Sequence, residues 1–353
     1  MDHTVPHPEF FGLPFTVEDF HGMPYRRLGD SGLRVSNIGL GTWKIGYPET
    51  GDGSRVDEPT AWKIFDRAIE LGVTFWDTAN RYNNASGNSE RIIGKWLASN
   101  PDQRRNVVLA TKVFGTMDGL TPNHCGLSRS NILESVYASL RRLRVETIDL
   151  LYFHAYDPVT PVEESLMAVE DLMQRDLVRY FGVSNFTAEQ LAIYRAVAAG
   201  SCLRCRVLAV QNQFDLLHGE QPERPGVLEY AARNRLSFVA WSPLARGLLT
   251  ERYLDLSRVG AGDRLVDEGT LERDTAPEIM AKLQALAALA QEWDLSVNQL
   301  ALAYMLTLPG MGPVIPSASS VAQLESNAAA GRVVLSEAQR QQVQAVLAGT
   351  PAG

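Results

Sequence analysis

Eight short apolar runs, each leading into a polar tip and most followed by a longer amphipathic stretch, constrain this chain more than any other feature. The runs fall at 37–41, 73–76, 107–111, 149–153, 179–183, 207–211, 237–240 and 312–315. Helix-like segments lie between them at 60–71, 89–98, 129–143, 161–176, 188–199 and 226–233, with a long one at 277–308. This alternation is the pattern of repeated βα units around a parallel sheet, not of a sandwich or a helical bundle. Helix starts are marked locally. Thr187-Ala188-Glu189-Gln190 has the spacing of a capping box, and Pro161 suits a first helical position. Eight units predict an α/β fold, a closed (β/α)8 TIM barrel, and 353 residues with 45% hydrophobic content can fill one. The rival, an open doubly wound sheet, lacks its Gly-x-Gly-x-x-Gly between a first strand and helix.

Ahead of the first unit, Tyr25–Leu28 and Leu33–Ser36 flank Gly29-Asp30-Ser31-Gly32, the signature of a β-hairpin lid. Residues 1–24, rich in Pro, His and Phe without periodicity, read as an arm, and 25–353 as a single barrel. With 33 basic against 41 acidic residues the net charge is −8, which argues against nucleic acid or an anionic membrane as partner. No apolar stretch reaches the roughly 20 residues of a membrane span. The first residues show neither a basic segment nor an apolar one of signal-peptide type, so a cytoplasmic location is expected. Cys125, Cys202 and Cys205 read as structural thiols, because no second Cys/His pair completes a zinc site around Cys202-Leu203-Arg204-Cys205. The scattered histidines show no metal-ligand spacing, so no metal is expected. A homo-oligomer is left open.

Reactive groups of such a barrel sit just past the C-terminal ends of its strands. Leaving the runs in order come Thr42-Trp43, Asp77, Lys112, His154, Ser184-Asn185, Gln211-Asn212, Trp241-Ser242 and Pro316-Ser317. Closure would bring Asp77, Tyr82, Lys112 and His154 together. Tyrosine is a poor acid–base group at neutral pH, but a neighbouring ammonium favours its phenolate, and Lys112 could supply one. Asp77 could hold Lys112 charged and oriented, and His154 could donate a hydrogen bond to a carbonyl oxygen.

These residues resemble the aldo-keto reductase superfamily. The likeness is carried by Phe75-Trp76-Asp77-Thr78-Ala79-Asn80-Arg81-Tyr82, the Lys112 strand end and Asp149-Leu150-Leu151-Tyr152-Phe153-His154. Further matches are Gly182-Val183-Ser184-Asn185-Phe186, Gln211-Asn212-Gln213-Phe214-Asp215-Leu216-Leu217, Trp241-Ser242-Pro243-Leu244-Ala245-Arg246-Gly247 and residues 315–327. The resemblance implies a (β/α)8 barrel in which Asp77, Tyr82, Lys112 and His154 form a catalytic tetrad. It implies reduction of an aldehyde or ketone by hydride from a nicotinamide, with Tyr82 as general acid and the reverse oxidation using the same groups. Ser184, Asn185 and Gln211 would then hold the nicotinamide carboxamide and Trp241 would stack on its ring. Thr42, Trp43, Asp77, Ser242, Pro243, Leu244, Arg246, Gly247, Ile315 and Ser317 complete the implied nicotinamide and pyrophosphate contacts.

Around the adenosine, the segment 315–327 is similar to the potassium-channel β-subunit branch, which implies that Ser319 and Gln323 contact a 2′-phosphate and Arg252 lies near the phosphates. Ser326 stands where the branch has an acid against the adenine, while Asn327 keeps its match. NADP(H) is therefore favoured, with NAD(H) left open. For the substrate, Trp43, Tyr47, Phe114 and Trp241 are candidates for an apolar wall beside Tyr82 and His154. The segments 47–58, 115–128 and 254–276 are long enough to be lids or binding loops. The charges of 254–276 read most simply as a solvated loop, with cofactor clamping as the rival. Two other readings remain: a nicotinamide-sensing regulatory barrel, and a Schiff-base aldolase using Lys112.

Overall fold

The computed structural model describes residues 19–117, 119–201 and 205–349. An N-terminal antiparallel sheet is formed by β1 (Asp19–Phe20), β2 (Met23–Arg27) and β3 (Arg34–Ser36). Eight parallel strands follow: β4 (Leu40–Gly41), β5 (Phe75–Asp77), β6 (Val108–Val113), β7 (Ile148–Phe153), β8 (Val178–Ser184), β9 (Val207–Asp215), β11 (Ser237–Trp241) and β12 (Met311–Ile315). Among the described residues only β10 (Gly219–Glu220) departs, pairing antiparallel with the end of β9. The eight are hydrogen-bonded in chain order from β4 to β12, and bridges from Ile38 to Val314 and Gly41 to Ser317 bring the ends together. The fold is a (β/α)8 barrel.

Period-two alternation along the strands divides the apolar side chains into two layers. Phe75, Ala110, Leu150, Tyr152, Ala209, Val239 and Ile315 fill the barrel interior with Leu28 and Val35 of the hairpin. Their neighbours Trp76, Leu109, Leu151, Phe153, Val210, Phe238 and Val314 face the helices in the larger core. The hairpin therefore plugs the N-terminal mouth. Its turn residue Gly29, at φ 56°, donates to Ser237 Oγ at 2.7 Å, and a side chain there would strike the Leu208 carbonyl. Ligands are left the opposite mouth.

The helices at Glu58–Glu70, Asn88–Ser99, Arg129–Leu143, Val162–Gln174, Ala188–Ser201 and Val227–Arg233 form the outer layer. Thr187 and Gln190 make both bonds of the capping box, at 2.9 and 3.2 Å. Pro161 stands at the N-cap, one residue before the first turn. The long segment at 277–308 is two helices, Pro277–Glu292 and Val297–Met305. Asp294 adopts a left-handed φ of 54° and Ser296 caps a fresh start with Gln299, so the apolar run conceals a break. Two helices after the last strand, Val321–Ala330 and Glu337–Leu347, add to those read from sequence. No helix among the described residues is long and apolar enough to cross a membrane.

Candidate active site

Asp77 ends β5, Lys112 lies one residue before the end of β6, and His154 follows β7, its backbone N–H bound to the Val113 carbonyl at 3.0 Å. The barrel thus brings three groups spread over 78 residues of chain onto one rim. Tyr82 opens the short helical turn Tyr82–Ala85, in which Asn83, Asn84 and Ala85 all have positive φ, at 55°, 55° and 61°. Such a turn is costly for non-glycine residues and persists because partners fix it. Asn83 Nδ2 donates to the Ile45 carbonyl at 2.6 Å.

The Lys112 ammonium uses its three donors on Asp77 Oδ1 at 2.5 Å, the Thr78 carbonyl at 2.9 Å and Tyr82 Oη at 2.7 Å. Tyr82 Oη in turn donates to Asp77 Oδ1 at 3.2 Å, while Gln211 Nε2 donates to Asp77 Oδ2 at 2.7 Å. Asp77 and Lys112 are each 1% exposed, so this ion pair is out of water. The Tyr82 and His154 rings meet edge to face, 6.0 Å between centroids.

The electrostatics differ from the simple sequence expectation. Burial, and then the Asp77 carboxylate, push the Tyr82 phenol well above its ordinary pKa. Burial and the carboxylate outweigh the neighbouring Lys112 ammonium, 2.7 Å from the phenol oxygen. Burial also lowers the Lys112 pKa, against the pull of Asp77 and Glu90. His154 is driven down to about 3 by burial and by the nearby Lys112 and Arg81 cations. The imidazole is therefore neutral, and the phenol protonated, throughout the neutral range.

These groups open on a cavity of about 690 Å³, lined by Gly41, Trp43, Asp77, Arg81, Tyr82 and His154 on one side. Ser184, Asn185, Gln211, Gln213, Trp241, Ser242, Ile315 and Ser317 follow around the rim, and Arg246, Arg264 and Arg273 complete the lining. Ser184 Oγ donates to the Gln211 carbonyl at 2.7 Å, and Asn185 Nδ2 to the His154 carbonyl at 2.9 Å. Both are tied to the frame of the site. Trp241 Nε1 and Ser242 Oγ are buried without a hydrogen-bond partner among the described residues, an arrangement that calls for a ligand.

Several residues read from sequence do not line this cavity. Tyr47 turns to Glu58 and Lys95, with its hydroxyl 2.6 and 2.8 Å from them. Phe114 packs against the main apolar core. Trp43 does line the cavity, but it is no bare apolar wall: the Lys44 ammonium lies 4.0 Å and the Arg264 guanidinium 4.5 Å from its ring centre. Thr42 is fully buried and donates to the Asp77 carbonyl at 2.9 Å. Pro243, Leu244 and Gly247 belong to the turn behind Ser242, and Arg252 is clasped by Asp263. Ser319 N and Oγ both donate to Gln323 Oε1, at 2.8 and 2.9 Å, and Asn327 accepts from Asn298 at 2.9 Å. Cys205 is buried and Cys125 exposed, while Cys202 lies outside the described residues.

Sequence reasoning gave no site role to Gln213, Arg264, Arg273 or Arg81, the last of which is exposed at the cavity. Gln213 was within reach of pattern, since it shares a strand face with Gln211. The segment 254–276 folds into 3-10 turns and the short helices Arg264–Asp267 and Leu271–Asp274. There Arg246 meets Asp274 and Glu268, Arg264 meets Glu268 at 2.7 Å, and Arg273 meets Asp274 at 3.0 Å.

The chain belongs to the aldo/keto reductase family, whose sequence model matches residues 37–348, and is an oxidoreductase of that family. It is 37% identical over 247 residues to the aldo-keto reductase AMT2 of Alternaria alternata, a match spanning 64% of this chain and 66% of that relative. It is 31% identical over 308 residues to a probable voltage-gated potassium channel subunit beta of Oryza sativa subsp. japonica, covering 86% of this chain and 90% of the relative. The aldo-keto reductase YhdN of Bacillus subtilis (strain 168) is 32% identical over 306 residues, covering 86% and 87%. Members of the family use nicotinamide cofactors.

Proposed function

We propose that this chain is an NADP(H)-dependent reductase that interconverts an aldehyde or ketone with its alcohol, with Tyr82 as the general acid and base. The observation that carries this reading is the Lys112 ammonium, which holds the Asp77 carboxylate and the Tyr82 hydroxyl together on the cavity wall. The cavity suits a nicotinamide cofactor. Trp241 offers an indole face with an unpartnered N–H, Ser184, Asn185 and Gln211 offer amide and hydroxyl groups beside it, and Arg246, Arg264 and Arg273 offer cations for phosphates.

When bound, the reduced nicotinamide supplies the hydride for the carbonyl carbon. Tyr82 delivers the proton to the carbonyl oxygen, and the raised phenol pKa keeps that proton in place at neutral pH. As the proton leaves, Lys112 at 2.7 Å faces the phenolate that forms and stabilises it. Neutral His154 donates a hydrogen bond to the carbonyl oxygen and fixes its position. Oxidation runs the same steps backwards and requires the phenolate, so it is favoured by high pH.

The preference for the 2′-phosphorylated cofactor rests on Ser319 and Gln323, which are exposed at the start of Val321–Ala330, where the positive end of the helix favours an anion. The second reading, a redox-sensing regulatory barrel, is raised by the channel-subunit relative. The complete set of Asp77, Tyr82, Lys112 and His154 favours turnover. Titration with NADPH and NADH in parallel, followed through tryptophan fluorescence, tests the cofactor; nitrobenzaldehydes and dicarbonyls, followed by nicotinamide absorbance, test the chemistry. Tight NADPH binding with turnover is expected. Binding without turnover across the panel supports the sensor, and no binding of either cofactor overturns the reading.

A further inference from the structure

Four arginines line the cavity, and three of them already have carboxylate partners in the loop 254–276: Arg246, Arg264 and Arg273. The fourth, Arg81, has none among the described residues. It immediately precedes Tyr82 and shares its wall with His154, whose ring feels the guanidinium charge. Its placement is shaped by a neighbour. The arginine stem and head lie across the backbone of Gly115, where a Cβ would collide with Arg81 Cδ and Nη1. An arginine seated over a glycine beside the proton-donating group, with its fork unpaired, is a preformed receptor for a planar oxyanion.

We propose that Arg81 sets substrate specificity, favouring carbonyl compounds that carry a carboxylate over their neutral counterparts. This rests on the reductase reading and deepens it. Asp77, the only acidic residue on the cavity lining among the described residues, is neutralised by Lys112, so a substrate carboxylate meets no opposing charge there. Lys would be a weaker substitute, since it offers a point charge without the bidentate fork.

The test compares 3- and 4-carboxybenzaldehyde with their methyl esters as substrates. The ratio of kcat/KM for acid over ester should fall about 10- to 100-fold in Arg81→Met, chiefly through KM for the acid, as expected for loss of a charge-assisted hydrogen bond. Gly115→Ala keeps the arginine but displaces it, and should lower the same ratio. Arg81→Glu should push the ratio lower still and raise turnover of a trimethylammonio-benzaldehyde. An unchanged ratio in Arg81→Met overturns the proposal while leaving the reductase reading intact, because ester turnover carries that reading. Failure of the unaltered chain to reduce either acid or ester overturns both.

Discussion

On one side of the cavity Asp77 and Lys112 are each 1% exposed and every donor of the ammonium has a partner. In the loop over the same cavity Arg246, Arg264 and Arg273 are 22%, 23% and 71% exposed, and their partners Glu268 and Asp274 come from that loop. The first set is held by strand ends of the barrel, so its geometry exists before any ligand arrives. The second is held by ion pairs near water, which salt screens and phosphate oxygens can replace. Proton transfer needs fixed distances between few atoms, whereas holding a large charged cofactor needs a surface that can open and close again.

The sharpest way to break this contrast is at Tyr82. Tyr82→Phe should lower kcat by about 10²- to 10⁴-fold, the usual contribution of a positioned acid, while NADPH affinity stays within about twofold. Equal turnover in the variant would remove the acid role. In the unaltered chain, reduction should hold level through the neutral range, because the raised phenol pKa keeps the donor protonated, while alcohol oxidation climbs as the pH rises.

Lys112→Met probes the buried pair itself. Removing one partner strands the Asp77 carboxylate out of water, which costs roughly 3–5 kcal/mol of stability, read as a shift in denaturant midpoint. The double variant Asp77→Asn/Lys112→Met should recover much of that stability and none of the turnover. If the double variant is as unstable as the single one, the cost lies in packing and not in charge.

The same contrast governs what could be read from the residues. The tips on the buried side were legible because an apolar run that breaks off at Asp77, at Lys112 or at His154 marks both the end of a strand and the group it presents. The arginine loop was not. Arg264 and Arg273 sit in a stretch of mixed charge whose shape comes from tertiary ion pairs, and Ser242, Ala245 and Arg246 take positive φ values of 56°, 47° and 60° that no local signal announces. Aromatic residues mislead for a different reason: Tyr47 can hydrogen-bond and Phe114 can pack away from a site as readily as line it, and sequence does not say which neighbours they meet. Gln211 shows a third limit, since its amide anchors Asp77 through a partner 134 residues away.

His154 separates the two sides by pH. Its folded-state pKa of about 3 lies below the ordinary 6.5, so the unfolded chain binds the proton first as pH falls. The stability linked to this group is complete above pH 6.5 and is lost progressively toward pH 3. His154→Asn should flatten the slope of unfolding free energy between pH 6.5 and 4 relative to the unaltered chain. An identical slope would mean that the imbalance in proton uptake belongs to other groups.

The smallest effects belong to the loop. Arg246→Ala should weaken NADPH binding about tenfold, near 1.4 kcal/mol, without changing kcat at saturation, and the loss should shrink as salt rises. Arg252 provides the internal control, because it is 57% exposed, clasped by Asp263 and absent from the cavity lining. If the cavity arginines are the phosphate contacts, Arg252→Ala changes affinity less than Arg246→Ala at every ionic strength. A reversed order would move the phosphates outward, toward the position that the family resemblance favours, and would place Arg246 among the structural ion pairs of the loop.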